Sequence, residues 1–136
     1  MTAFLLCAGF NLFPEKTEFL PNFSFSGFNF NVLGFNPKVY ISDNGNERGL
    51  KFPNNGLEIE LPVPINTVNL RIGTFGGPVD VSALDSSGSV IRKKVAPEQK
   101  YYFNIRLSGS DIASLILSGG RNEAILLTAC ISVFSC

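Results

Sequence analysis

The stretch Ser42-Asp43-Asn44-Gly45-Asn46-Glu47-Arg48-Gly49 sets two carboxylates, two amides and two glycines between apolar runs. Such a density of oxygen donors is either a ligand site or a turn. Asn-Gly-Asn favours a hairpin turn, because glycine and asparagine accept positive φ. A second candidate chemistry is the carboxylate pair Glu58 and Glu60. On one strand face they would stand about 7 Å apart, between the separations used by retaining and inverting glycosidases. Carboxylates at i and i+2 on an exposed strand ordinarily form a solvated stripe, and nothing nearby in the sequence would separate their pKa values. The chain is therefore expected not to be an enzyme.

Other chemistries fall away on composition. Histidine is absent, which removes imidazole-bound zinc and serine triads in their usual forms. The three cysteines, Cys7, Cys130 and Cys136, have no CxxC spacing, so zinc and thioredoxin-type readings have no support. If the first and last strands are neighbours, Cys7 can bridge to Cys130 or Cys136, which would suit an oxidising compartment; buried reduced thiols are the alternative. Eleven basic residues balance eleven acidic ones, so no general positive field attracts nucleic acid. The run Arg92-Lys93-Lys94 reads as a solvated strand end. The apolar opening Thr2 to Phe10 has no preceding Lys or Arg and stops at Asn11, unlike an ordinary signal peptide. No apolar run reaches the roughly 18 to 20 residues of a membrane helix, and no membrane insertion is expected.

Period-two alternation dominates the elements that must position any site. It is clear in Leu57 to Leu61, Thr67 to Ile72, Val79 to Ser82 and Tyr101 to Leu107, as half-buried strands require. Further strands are expected at Phe28 to Leu33, Lys38 to Ser42, Ser89 to Val95, Ile112 to Ser118 and Glu123 to Val133. Punctuation such as Asn36-Pro37, Gly76-Gly77-Pro78 and Asp85-Ser86-Ser87-Gly88 bounds them. No helical stripe is convincing. The expectation is one all-β domain over residues 1–136, a jelly-roll β-sandwich of two antiparallel sheets with about eight or nine short strands. Residues 1–27 are expected to be an irregular, edge-strand segment packed on it.

The order Cys7-Ala8-Gly9-Phe10, Ser26-Gly27-Phe28-Asn29-Phe30, Val68 to Val79 through Gly76-Gly77-Pro78, Leu84 to Gly88, and Ser118-Gly119-Gly120-Arg121-Asn122-Glu123-Ala124-Ile125 resembles the galactose-binding-like jelly-roll superfamily. Many carbohydrate-binding modules belong to it. The resemblance covers most of the chain and rests on strand order and glycine turns. It implies a glycan site on end loops or across a sheet face, and a structural Ca2+ on a loop edge.

For the calcium, which takes roughly six to eight oxygen ligands, the candidate ligands are Asp43, Asn46, Glu47 and Glu123, with Asn44 and Asn122 beside them. The spacing does not match an EF-hand, and a turn without metal remains the alternative. For the glycan, alternation turns Glu58, Glu60, Asn69, Arg71, Asp80, Ser82, Tyr102, Asn104 and Arg106 outward. The candidate site is Arg71, Asp80, Tyr102, Asn104 and Arg106, with Tyr102 stacking on a pyranose and Tyr101 inside. An ordinary solvated face is the alternative. A second function class is assembly or adhesion, as a homo-oligomer or with another protein, carried by exposed N-terminal phenylalanines. Both classes suit a secreted or cell-surface protein.

Overall fold

The computed structural model describes residues 2–34, 39–44, 47–99 and 101–135. Ten strands follow one another: β1 (Thr2–Gly9), β2 (Asn22–Phe25), β3 (Phe28–Val32), β4 (Tyr40–Asn44), β5 (Glu47–Phe52), β6 (Leu57–Thr74), β7 (Val79–Leu84), β8 (Val90–Ala96), β9 (Tyr102–Gly119) and β10 (Ala124–Ser135). The helical structure among the described residues is limited to single 3-10 turns at Phe10–Leu12 and Gly120–Asn122. All pairings are antiparallel, in the order β4-β5-β10-β6-β9-β7-β8, with β1 beside β10 and β2-β3 beside β6.

This ladder folds over into the two layers of a jelly-roll β-sandwich. Residues 68–74 of β6 and 102–107 of β9 join β10, β5, β4 and β1 in the first layer. Residues 57–60 of β6 and 114–119 of β9 join β3, β2, β7 and β8 in the second. The separate strands expected on either side of Pro62 are thus two halves of β6, and those on either side of Gly109 are halves of β9. Where β6 crosses between layers its register slips between Glu60 and Ile65 and again before Thr67. Pro62 and Pro64 lie in that segment, and prolines bring no N–H to a ladder. The slip changes which residues point inward, from Leu57 and Ile59 to Val68, Leu70 and Ile72, all fully or almost fully buried.

The stretch Ser42 to Gly49 is part of a hairpin: Asp43 pairs with Arg48 and Asn44 with Glu47. Gly45 and Asn46 lie outside the described residues. Glu47–Phe52 is strand β5, which is not among the strands expected from the sequence. Gly49 hides its alternation, and the reason for the glycine is close approach: a Cβ there would stand 2.6 Å from the Leu126 carbonyl oxygen and 2.7 Å from the Ile125 side chain.

The N-terminal segment is more ordered than expected. β1 pairs in register with β10, and Cys7, opposite Cys130, is disulfide-bonded to it across 4.1 Å between Cα atoms. Residues 16–19 hydrogen-bond to β4 through Lys16 N–H to Ile41 O, Ile41 N–H to Thr17 O and Phe19 N–H to Val39 O. Phe10 is fully buried, and the rings of Phe13, Phe19, Phe23, Phe25 and Phe30 lie 5.2–6.3 Å from its own. Tilted and edge-to-face contacts of this kind add to the stabilisation from burial itself.

β8 overhangs the opposite layer. Arg92 and Lys94 pair with the inward-facing Ala83 and Val81, so they reach toward the edge of the other sheet while remaining exposed to solvent. Arg92 Nε donates to the Ser108 carbonyl at 3.0 Å and Lys94 Nζ to the Arg106 carbonyl at 3.0 Å. Inward-pointing cations of this kind discourage edge strands from pairing with another chain.

The disulfide joins residues 123 apart in sequence. A loop that long restricts the unfolded chain by up to about 5 kcal/mol in the chain-entropy description. Non-reducing peptide mapping should find Cys7 linked to Cys130, and reduction should lower the melting temperature by roughly 10 °C. An unchanged melting temperature would show that packing alone holds β1 to β10.

Candidate functional site

The outer face of the first layer carries the polar members of β6 and β9 in cross-strand rows. Arg71 lies opposite Asn104, and Asn69 opposite Arg106, because Val68, Leu70, Ile105 and Leu107 are turned into the core. Of the five residues expected to form a glycan site, Arg71, Asn104 and Arg106 are brought together here.

Arg71 anchors one end of this strip. Its Nε and Nη2 donate to the two carboxylate oxygens of Glu47 at 3.0 and 2.7 Å, and Nη1 donates to Asn104 Oδ1 at 3.4 Å. The side-chain hydrogen bond from Arg71 holds the Glu47 carboxyl below its ordinary range, against the opposing effect of burial. The same bond raises Arg71. Both side chains remain about one-third exposed, at 34% and 38%, so despite its two-pronged geometry the pair contributes about 1 kcal/mol or less.

Two residues of the expected site go elsewhere. Tyr102 is only 7% exposed. It does lie on the outer face of the layer, but Phe75 packs edge-on against its ring at 5.1 Å, Ile125 and Leu127 flank it, and its hydroxyl donates to the Glu47 carbonyl at 3.2 Å. Gly73 stands opposite Tyr102, and a Cβ there would come within 2.5 Å of Phe75 and 2.9 Å of Tyr102. The missing side chain is what lets Phe75 fold back as a lid. Tyr102 is therefore a packing residue rather than a stacking platform, and Tyr101, expected inside, is 60% exposed. Asp80 pairs with Ser118 and Val95 in the second layer and faces out from the opposite side of the molecule. Glu58 and Glu60 belong to that layer too, so the single face expected from alternation is two faces.

Beyond Asn69 and Arg106 the strip opens into a cleft of about 480 Å³, lined by Pro64, Ile65, Asn66, Thr67, Asn69, Arg106 and Ser132. The bend of β6 forms it. From Ile65 to Arg71 the strip runs roughly 20 Å by strand rise. Its donors and acceptors are amides, hydroxyls and guanidinium groups beside an apolar wall of Pro64 and Ile65. Asn66, Thr67 and Ser132 were not singled out from sequence; the broken alternation at Pro62-Val63-Pro64 was the available signal. A second cleft, about 390 Å³, lies on the outer face of the second layer among Asn22, Ser24, Asn29, Asn31, Glu58 and Glu60. Its polar groups partly satisfy one another, Ser24 donating to Asn29 and Asn29 Nδ2 to Glu60 at 3.5 Å.

The expected calcium ligands do not assemble. Glu47 is held by Arg71, and Glu123 forms an ion pair with Lys51 at 3.0 Å. Burial pulls Lys51 down, yet Glu123 and Tyr40 more than offset it and hold its ammonium above the ordinary value. Asp43 is exposed on β4, and Asn46 lies outside the described residues. Among the described residues no group of three or more acidic or cysteine side chains is placed to hold a metal.

No protein-family model matches the chain, and no curated protein matches it in sequence. Solved structures do share its fold. A variant of CBM29-2, a family 29 carbohydrate-binding module studied for its mechanism of ligand recognition, superposes with a TM-score of 0.53 at 10% identity, over 96% of this chain and 90% of that one. Another variant, complexed with mannohexaose, gives 0.53 at 9% identity over 97% and 93%. A further family 29 variant gives 0.52 at 10% identity over 96% and 92%. These likenesses establish the carbohydrate-binding-module-like jelly-roll fold.

The pairing of Glu47 with Arg71 sets a pH dependence. A carboxylate whose folded pKa is depressed contributes stability that is complete above its ordinary value, 4.5 for Glu47, and is lost as pH falls through the lowered folded value. The melting-temperature gap between wild type and Glu47→Gln should be largest near neutral pH and narrow as the pH falls below 4.5. A gap that persists undiminished in acid would assign the effect to packing instead of charge.

Proposed function

We propose that this protein is a non-catalytic carbohydrate-binding module whose ligand lies along the outer face of the first layer, on Arg71, Asn104, Asn69 and Arg106, and enters the cleft at the β6 bend. The observation that carries the reading is the continuity of that strip: exposed amides and guanidinium groups in register on adjacent strands run into an open cleft walled by Pro64 and Ile65. Vicinal sugar hydroxyls suit this lining, since each can donate to an amide oxygen and accept from an amide or guanidinium N–H. Family 29 modules of the same fold, one of them complexed with mannohexaose, support it. A binding role rather than a catalytic one follows from the carboxylates: Glu58 and Glu60 lie on an open sheet face, and Glu47 is spent on Arg71.

The assembly alternative rested on exposed N-terminal phenylalanines. Among the described phenylalanine side chains, Phe10, Phe28 and Phe30 are buried, and Phe13, Phe19, Phe23 and Phe25 are half-buried against the core, which reduces that support; Phe35 lies outside the described residues. The disulfide between Cys7 and Cys130 accords with a secreted or cell-surface protein, as disulfides persist in oxidising compartments.

A glycan array probed with the intact protein should give hits. Asn69→Ala and Asn104→Ala should each weaken them about five- to tenfold, as expected when one or two hydrogen bonds worth about 1 kcal/mol each are removed. Asn29→Ala on the opposite layer should leave them unchanged. Binding lost through Asn29 but not Asn69 would move the site to the second layer, and a blank array would remove the carbohydrate reading.

A further inference from the structure

Beside the proposed strip lies a cleft of about 480 Å³ between the overhanging β8 and the free edge of β9, and its lining includes Arg92, Lys93, Lys94 and Arg106. Arg106 borders both this cleft and the one at the β6 bend, so the two are neighbours. The chain as a whole is neutral, with eleven basic and eleven acidic residues. Yet four of those bases border this cleft, Arg92 and Lys94 from one side of β8 and Lys93 from the other, while among the described residues no acidic one lines either cleft. Glu58, Glu60 and Asp80 face out of the second layer, away from this cleft.

Two features keep the charges of Arg92, Lys94 and Arg106 available to a ligand. None of them takes part in an ion pair among the described residues, where Lys51 with Glu123 and Arg71 with Glu47 are the pairs formed. Arg92 and Lys94 are fixed in place instead by neutral acceptors, the carbonyls of Ser108 and Arg106. A hydrogen bond to a carbonyl orients a cation without cancelling its charge. The cations are thus positioned across a cleft with their field unneutralised, and such a field draws an anion. All three residues are exposed, so a polymer can reach them without displacing protein.

We infer that the ligand is an anionic polysaccharide, its carboxylate or sulfate groups seated among Arg92, Lys94 and Arg106 and its neutral hydroxyls along Asn69 and Asn104. This deepens the carbohydrate reading and rests on it. The anion supplies the charge complementarity, and the amide strip reads the sugar.

The test compares binding of the intact protein to polygalacturonate, dextran sulfate, neutral mannan and a short DNA duplex by calorimetry at low and moderate salt. Polygalacturonate or dextran sulfate should bind at least tenfold more tightly than mannan, and its affinity should fall about tenfold or more on raising NaCl from 20 to 300 mM, since exposed charges are screened over that range. Arg92→Gln and Arg106→Gln should each weaken it about fivefold, while Glu60→Gln on the far face changes nothing. A preference for polygalacturonate assigns carboxylate, and one for dextran sulfate assigns sulfate; either supports the inference. Mannan binding equally well and without salt dependence overturns the anionic assignment and leaves the carbohydrate function standing. Binding to no polysaccharide overturns both. DNA binding as tightly as the polysaccharides shows a generic attraction for polyanions and overturns the inference. The salt dependence of wild type decides the matter even if a variant fails to fold.

Discussion

The antiparallel pairing of β6 with β9 is the constraint on which the rest of the molecule depends. Both strands span eighteen residues and pair with each other in both layers, so each layer's core is built on the same two backbones. Strand side chains alternate strictly, and a slip of one residue exchanges the faces. The register shifts at Glu60, Ile65 and Thr67 let both halves of β6 turn aliphatic residues inward. Without them, either Leu57 and Ile59 or Val68, Leu70 and Ile72 would face water.

The same crossing distributes the polar residues. Glu58 and Arg71 alternate with core residues on one strand, yet they emerge on opposite sides of the sandwich. Glu58 and Glu60 come out on one outer face and Arg71 and Arg106 on the other, which sets two polar faces of different character on the two sides of the sandwich. Arg92 and Lys94 close the arrangement at the open side, where β8 extends past the layer beneath it. There, carbonyls on the unpaired edge of β9 accept their hydrogen bonds, so one contact protects an edge and orients two charges.

The N-terminal segment completes the sandwich. β1 and β5 share one edge of β10, β1 along residues 128–135 and β5 along 124–126, and the phenylalanines around Phe10 fill the space beside them. Phenylalanine abundance, which on its own could equally signal a sticky surface, here supplies core. The distinction matters for function because it leaves the polar faces, and not the aromatic ones, as the surfaces free to bind.

The primary sequence determined the all-β class, most strand positions and the residues able to turn outward, since alternation and glycine or proline punctuation are local properties. It also left Cys7 with two candidate partners, and only the register of β1 on β10 chose Cys130. β5 was illegible because Gly49 and Arg48 interrupt its pattern for a reason that lies in β10. Tyr102 was assigned the right face and the wrong exposure: alternation specifies which side of a sheet a residue takes, while the lid over it comes from Phe75 across a glycine. The candidate calcium ligands and Asp80 were separated in the same way, by which cations and which layer they met in space. Tertiary structure decided these points because contacts between residues distant in the chain, and the phase shifts at the bends, have no signature within a strand's own few residues.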